Sequence, residues 1–276
     1  MKRISVQQAP LIAGGAITMG FILAAIFAPW VAPSSPFAQD LYHGLAGPGA
    51  DHLLGQDRLG RDILSRLIYG ARISLTVGFV TVGISLMVGT ILGTAAGYLG
   101  GRVDMVVMRV CDVFLAFPGI LLAIAVMAAL GPSFTNVVIS LSMMGWTGFA
   151  RLARGQTLSL REREFVTAAV ALGASPARVM ALHIIPNLAA PMIVEATFAV
   201  AAAVIGEAGL SFLGLGAQPP TPSWGAMLAE GRQFLLVAPN LAIWPGLAIM
   251  TMTLGINFLG DGLRDILDPK SKRRDG

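Results

Sequence analysis

Six long runs of apolar residues limit what this chain can fold into. Each run has close to the roughly 20 residues that a helix needs to cross the hydrocarbon core of a bilayer. The chain is 55% hydrophobic and only 12% charged, whereas soluble domains average roughly 25% charged residues. The sequence therefore predicts an all-α integral membrane protein with six transmembrane helices. The six runs are Leu11–Val31, Ile73–Leu99, Val113–Leu130, Phe134–Ala150, Ile184–Ile205 and Leu241–Leu259.

The basic residues predict how these spans are oriented. With the N-terminus in the cytoplasm and six alternating spans, most of the 19 Lys and Arg residues fall in cytoplasmic segments, as the positive-inside rule requires. The exceptions are Arg232 and a group before the second run, where three aspartates largely cancel the positive charge. We therefore expect both termini in the cytoplasm. The group consists of Arg58, Arg61, Arg66 and Arg72 with Asp51, Asp57 and Asp62.

The motifs of nucleotide hydrolysis and of metal catalysis are missing from this chain. A phosphate-binding loop needs a Lys near its end, but the lysines are Lys2, Lys270 and Lys272, all in the tails. No HExxH, CxxC or GxSxG motif occurs, and Cys111 is the single cysteine, so a multi-Cys metal site is excluded. The chain has no stripe of basic residues with interleaved aromatics, so its sequence does not indicate binding to nucleic acid. We expect a non-catalytic chain without a bound cofactor or metal, and any ATP it needs is hydrolysed by another subunit.

One carboxylate interrupts the fifth run. Glu195 lies inside that run, and a charge is costly at such a depth. Three roles stay open for it: lining a translocation path, bonding to a neighbouring helix, or coupling transport to protons. An ion-coupled secondary transporter is the distant alternative, because it requires more charges inside its spans than this chain has.

A cytoplasmic segment with both charges and helically spaced apolar residues separates the fourth and fifth runs. Glu164–Leu172 is predicted as a short helix, and Gly173 is well placed to end it. Ser175 then caps a second helix, with Pro176 in its first position. The sequence therefore predicts an elbow of two helices lying on the membrane surface, which offers one face to a partner.

Composition divides the chain into three parts. The first contains the N-terminal tail, the first span and a long outer loop. The second is a five-helix core that includes a cytoplasmic loop and a second outer loop, and the third is a basic tail. The parts are residues 1–72, 73–262 and 263–276, and the two loops of the core are 161–186 and 206–240.

Local patterns suggest how the loops join the spans. Pro186 and Asn187 are predicted to mark a turn into the fifth span. In the first outer loop, Leu59–Gly70 has helical spacing, which predicts a short interfacial helix before the second span. His43 and His52 in the same loop admit a shared metal site, although a solvated loop is the more ordinary interpretation.

The cytoplasmic loop also carries a family pattern. Its sequence AAVALGASPARVMALHIIP resembles the EAA loop of ABC importer permeases, in which EAA is followed by a spaced Gly and then by I-x-L-P. Thr167 departs from the pattern in the Glu position and His183 in the Ile position. The positions that match are Ala168, Ala169, Gly173, Ile185 and Pro186.

Three further segments resemble one branch of that family, the dipeptide, oligopeptide and nickel permeases. They are His52–Leu75 before the second span, Asp112–Ile124 in the third run, and Glu207–Leu228 before the last span. The resemblance covers nearly the whole chain and is greatest to the C-type permease of a dipeptide importer. It implies the type I ABC importer permease fold, with six transmembrane helices and a cytoplasmic coupling-helix elbow.

The resemblance also implies an assembly in the bacterial cytoplasmic (inner) membrane. Its members pair with a second homologous permease, two cytoplasmic ABC ATPases that bind ATP and Mg, and an extracytoplasmic solute-binding protein. The implied activity is import of dipeptides or short peptides by alternating access. Nickel, oligopeptides, glutathione or antimicrobial peptides remain alternative cargo.

Site residues follow from the same resemblance. For Asp57, Arg61 and Asp62 we favour structural bonding over substrate contact, and Glu195 stays a candidate path-lining residue. Residues expected to couple to the ATPase are Ala168, Ala169, Gly173, Ala174, Ser175, Arg178 and Pro186. Residues expected on the side of the binding protein are Asp57, Arg61, Asp62, Ser211 and Trp224.

Overall fold

The computed structural model describes residues 9–267, and these fold into helices joined by loops. Within this range the only strand-like pairing is one antiparallel bridge between Gln56 and Asp62, so the predicted all-α class is confirmed. Short 3₁₀ turns cover Leu41–His43 and Arg232–Phe234, and a π-helical turn covers Met180–Ile184. The α-helices are α1 (Ala9–Ile26), α2 (Ala28–Val31), α3 (Ile63–Leu99), α4 (Gly101–Leu115), α5 (Gly119–Leu130), α6 (Phe134–Leu160), α7 (Glu164–Ala171), α8 (Pro176–Val179), α9 (Ile185–Phe212), α10 (Trp224–Gly231) and α11 (Asn240–Leu267).

Helix length and composition do not confirm the predicted count of six spans. By length and composition, α1, α3, α11 and the stretch Pro176–Phe212 can each cross a membrane, and a bent helix pair raises the total to five. The 27-residue α6 is not among them, because Asn, Ser, Thr and Gly residues together with Arg151 and Arg154 lower its mean hydropathy. The described residues therefore support four or five spans, and the count of six is not confirmed.

The third predicted span is broken. Helices α4 and α5 meet at an angle of 87°, where Phe117 precedes Pro118. Proline disfavours helical dihedrals in the residue before it, so α4 ends and the chain changes direction. Arg154 forms a bidentate ion pair with Asp104, and Arg151 donates to Asp112 at 2.6 Å, so α4 is tied to α6.

Two predicted boundaries are wrong because helices continue through them. The interfacial helix expected before the second span is the first part of the 37-residue α3, whose N-cap Asp62 accepts from the Ser65 amide. The turn expected at Pro186 is absent, since the helical stretch Pro176–Phe212 runs through it. The π-helical turn just before Pro186 relieves the clash that a proline ring causes in a regular α-helix.

Small residues let the long helices pack closely. A Cβ at Gly93 of α3 would lie 2.1 Å from the carbonyl oxygen of Ala150 in α6. A Cβ at Gly14 of α1 would lie 2.4 Å from the backbone of Leu259 in α11. Such contacts are typical of membrane helices, where van der Waals packing replaces the hydrophobic effect. The loop before α3 adjoins Ile63, whereas Val166 of the elbow lies with Tyr98 near the other end of α3, so the loop and the elbow lie at opposite ends of the bundle.

Candidate functional site

The elbow consists of α7, Gly173 and α8. Gly173 has φ +85°, a left-handed conformation that glycine adopts without strain. The Ser175 hydroxyl accepts from the Arg178 amide, and Pro176 occupies the first turn of α8. The predicted helix–glycine–helix geometry is confirmed by these local contacts.

One face of the elbow is anchored in the main hydrophobic core. Val166 and Val179 of the elbow, and Ile184 of the π-helical turn that follows, are 0–1% exposed and pack there with residues from the spanning helices. Ala169 is also on this face, at 9% exposure. A displacement of the elbow would therefore be passed to α9 through packed side chains.

The rest of the elbow is open and carries apolar side chains on either side of the anchored face. Leu172 is 88% exposed, Val170 49% and Phe165 44%, and exposed apolar groups of this size are candidates for an interaction surface. Ala174 is half-buried, and the remaining coupling candidates are exposed: Ala168, Gly173, Ser175, Arg178 and Pro186. The sequence places Ala169 beside Ala168 on the docking surface, but neighbouring helical residues point in different directions, and its side chain faces the core.

The opposite end of the bundle carries a buried ionic network. We call residues 52–66 together with α10 the cap. Asp57 accepts from Arg61 Nε at 2.6 Å and also pairs with Arg66. Glu230 of α10 accepts from both arginines at 3.0 Å. Two acidic and two basic side chains thus neutralise each other while joining the loop to α10.

The predicted cap residues are internal. Asp57, Arg61 and Asp62 are 2–4% exposed, and Asp62 caps α3 while bonding His52 at 2.9 Å. The preference for structural bonding over substrate contact agrees with this burial. Sequence reasoning missed Glu230, because nothing local relates it to an arginine 169 positions away.

A second buried cluster joins α3, α9 and α10 beneath the cap. Glu207 is 1% exposed and accepts from Ser74 at 2.7 Å and Ser211 at 2.6 Å. Trp224 is fully buried and donates from Nε1 to the Leu67 carbonyl at 2.9 Å. The sequence predicts the second outer loop from residue 206, but α9 extends to Phe212, which turns Glu207 and Ser211 into helix residues. Their side chains, like that of Trp224, are buried and join α3, α9 and α10 beneath the cap.

The two histidines of the first outer loop line one cavity but bond to different aspartates. His43 bonds Asp40 at 2.7 Å, and this hydrogen bond lowers the pKa of the Asp40 carboxyl. His52 bonds Asp62 instead. Within residues 9–267, no group of three or more His, Cys, Asp and Glu side chains could hold a metal ion.

Glu195 opens onto a polar cavity between α6, α9 and α11. The cavity has a volume of about 710 Å³, within the roughly 300–1,000 Å³ typical of small-molecule sites. Its polar lining is Gln156, Asn187, Glu195 and Arg264. The structure therefore places Glu195 on an open space, and the side chain is exposed.

A helical bundle with an anchored, outward-facing elbow defines a membrane transport permease. The same fold occurs in the inward-facing MetNI methionine ABC transporter, with a TM-score of 0.60 and 17% identity over 73% of this chain and 96% of that chain. Residues 89–273 match the family of the binding-protein-dependent transport system inner membrane component, and residues 10–48 match the N-terminal TM domain of oligopeptide transport permease C.

Curated relatives agree with this match. The chain is 49% identical to the dipeptide transport system permease protein DppC of Alkalihalophilus pseudofirmus, over 95% of this chain and 86% of that protein. It is 49% identical to the glutathione transport system permease protein GsiD of Escherichia coli O6:K15:H31, over 91% and 83% of the two chains. The chain belongs to the family of inner membrane components of binding-protein-dependent transport systems. It is a permease subunit of an ABC importer in the inner membrane, similar to permeases that are named for dipeptide and for glutathione transport.

Proposed function

We propose that this chain is one of two permease subunits in an ATP-driven importer that moves dipeptides or short peptides into the cytoplasm. Relatives named for dipeptide and for glutathione transport are equally similar to it, at 49% identity. Glutathione, itself a short peptide, is therefore the second candidate cargo. A related permease would complete the membrane part, and two ABC ATPases with bound ATP and Mg would supply energy.

The exposed apolar face of the elbow is the observation that carries this proposal. A surface with Leu172 at 88% exposure is costly unless a partner covers it. Since the chain has no phosphate-binding loop, the fitting partner is an ATPase. Ala168, Gly173, Ala174, Ser175 and Arg178 surround this surface, and Pro186 lies at the start of α9.

The mechanism follows from how the elbow is anchored. Closure of the ATPases would shift α7 and α8, and the packed residues behind them would move α9 as a rigid body. Alternating access requires such an element with two discrete positions. In this arrangement the elbow end and both termini lie in the cytoplasm.

The cap would receive the solute-binding protein on the outer side. Its ionic network fixes the loop before α3 relative to α10, so that the outer surface keeps one shape. Asp57, Arg61, Asp62, Ser211 and Trp224 would then support docking from within instead of touching the docked protein.

Gly173→Asp tests the coupling role. Asp is one of the few residues that tolerate a left-handed conformation, and a Cβ at Gly173 would meet no atom within 4 Å. The variant should therefore insert and fold normally while placing a charge on the apolar docking surface. In proteoliposomes with the complete importer, we expect peptide uptake to fall to background and ATP hydrolysis to lose its response to loaded binding protein.

Gly101→Asp is the matched control. Gly101 also has positive φ, at 53°, an added Cβ there would meet no atom within 4 Å, and the residue is exposed on the elbow side of α3. The Gly101→Asp variant should transport peptide at the rate of the unmodified protein. Normal uptake by Gly173→Asp would refute the docking role.

Mass spectrometry of the ligand carried by the purified binding protein would decide between dipeptides and glutathione.

A further inference from the structure

Two opposite charges face the polar cavity between α6, α9 and α11 without neutralising each other. Glu195 and Arg264 both line this space and are exposed. Within residues 9–267, neither side chain forms an ion pair or a side-chain hydrogen bond. Their separation therefore exceeds ion-pair distance and leaves room for a ligand between them.

Glu195 belongs to the helical stretch Pro176–Phe212, which is long and apolar enough to cross a membrane. Ionisable residues in spanning segments face water-filled spaces or charged partners. The cavity provides such a space.

The register of α9 and α11 places the two charges at similar depth. A Cβ at Gly260 would lie 2.5 Å from Thr197 Oγ1, so the antiparallel helices are in close contact at that level. Arg264 follows Gly260 by about one helical turn, and Glu195 precedes Thr197 along α9. Both charges thus lie on the elbow side of this contact.

We propose that this cavity is a binding site for the two charged ends of a short peptide on its way through the permease. Glu195 binds the peptide ammonium and Arg264 the carboxylate. The side-chain amides of Gln156 and Asn187 face the peptide bonds between them. This proposal rests on the proposed function, because it takes short peptides as the cargo, and it adds where the permease itself recognises them.

Binding to the assembled importer without its binding protein tests the site directly. The complex of both permeases and both ATPases would be placed in nanodiscs and titrated with radiolabelled dialanine, N-acetyl-dialanine and dialanine amide. Losing one charge-assisted contact should weaken binding about tenfold. The unmodified complex should therefore prefer dialanine over each blocked form by that factor.

Two variants separate recognition from general damage. Glu195→Gln should lose the preference for a free amino group while keeping the preference for a free carboxylate, and Arg264→Gln should do the reverse. Asp261→Asn on α11 and Arg109→Gln on α4 change exposed charges that do not line the cavity. These controls should keep both preferences.

The outcomes distinguish the site from the proposed function. Two results would overturn the site. The first is that each variant loses affinity for all three probes by the same factor, and the second is that both variants keep the preferences of the unmodified complex. In either case the cavity would be filled by a side chain of the second permease or by a lipid. Import of dialanine by the unmodified importer in proteoliposomes would leave the proposed function standing in that case. Failure of the unmodified importer to move any peptide would overturn the function itself.

Discussion

The cap and the elbow, at the two ends of one bundle, differ in which groups are buried and which are exposed. In the cap, charged groups are buried and satisfied inside the chain, as with Asp57 between two arginines. In the elbow, apolar side chains such as Leu172 are exposed and are not covered by other residues of the chain. The charges of the cap are thus compensated within this subunit, and the exposed apolar groups of the elbow agree with our proposal that another protein covers them.

The energetic consequences differ accordingly. A substitution in the cap should change the stability of the folded chain, because it breaks contacts that the chain makes with itself. A substitution on the open face of the elbow should leave folding unchanged and affect assembly. Three substitutions test this division, from the largest expected effect on stability to the smallest.

Asp57→Ala should lower the stability of the folded chain most. It leaves Arg61 and Arg66 buried with only the shared Glu230 carboxylate, and breaking a buried ion pair costs about 3–5 kcal/mol. We expect a marked fall in the unfolding temperature, measured by tryptophan fluorescence in detergent. Asp51→Ala, an exposed aspartate of the same loop, should stay within about 0.5 kcal/mol of the unmodified protein. Similar unfolding temperatures for the two variants would show that the network does not stabilise the cap.

Gly225→Ala should lower the stability of the folded chain by an intermediate amount. The added Cβ would lie 2.2 Å from the Ala208 carbonyl oxygen, so α10 must move away from α9, and overpacking costs about 1–3 kcal/mol. The same melting assay measures this loss. Gly173→Asn in the elbow is the comparison, because its side chain meets open space and Asn tolerates positive φ. It should destabilise the protein less than Gly225→Ala; the reverse order would contradict the close α9–α10 contact.

Leu172→Ser should change stability least. Exposed substitutions lie within about 0.5 kcal/mol, but loss of an anchor side chain in an interface costs more than about 1 kcal/mol of binding. We expect an unchanged unfolding temperature and several-fold weaker co-purification of the ATPases. Leu53→Ser, an apolar residue of the cap that is 62% exposed, should retain the ATPases fully. Equal retention by both variants would remove Leu172 from the docking surface.

Local signals made the elbow predictable. Gly173, Ser175 and Pro176 act on their immediate neighbours, so a helix end and a helix start follow from the residues themselves. The apolar runs likewise predicted a helical membrane protein. Boundaries were less predictable: the turn expected at Pro186 does not occur, because a π-helical turn upstream accommodates the ring.

Long-range contacts were not predictable from the same signals. Glu230 reaches the arginines of the cap only because α10 folds back onto α3. Glu207 has the sequence context of a loop residue and is a buried helix residue bonded to Ser74, 133 positions earlier. Ala169 is equivalent to Ala168 in the sequence pattern, but the packing of α7 turns one inward and the other outward.

The sequence by itself determined the class of the molecule, since hydrophobic run length and helix-end chemistry depend on residues close together in the chain. It also predicted that any ATP the transporter uses is hydrolysed by another subunit, because the lysine of a phosphate-binding loop is missing. Only the tertiary structure decided which charges neutralise each other and which stay open. That choice depends on distances between helices, which is why Asp57 is paired within the cap while Glu195 and Arg264 line an open cavity.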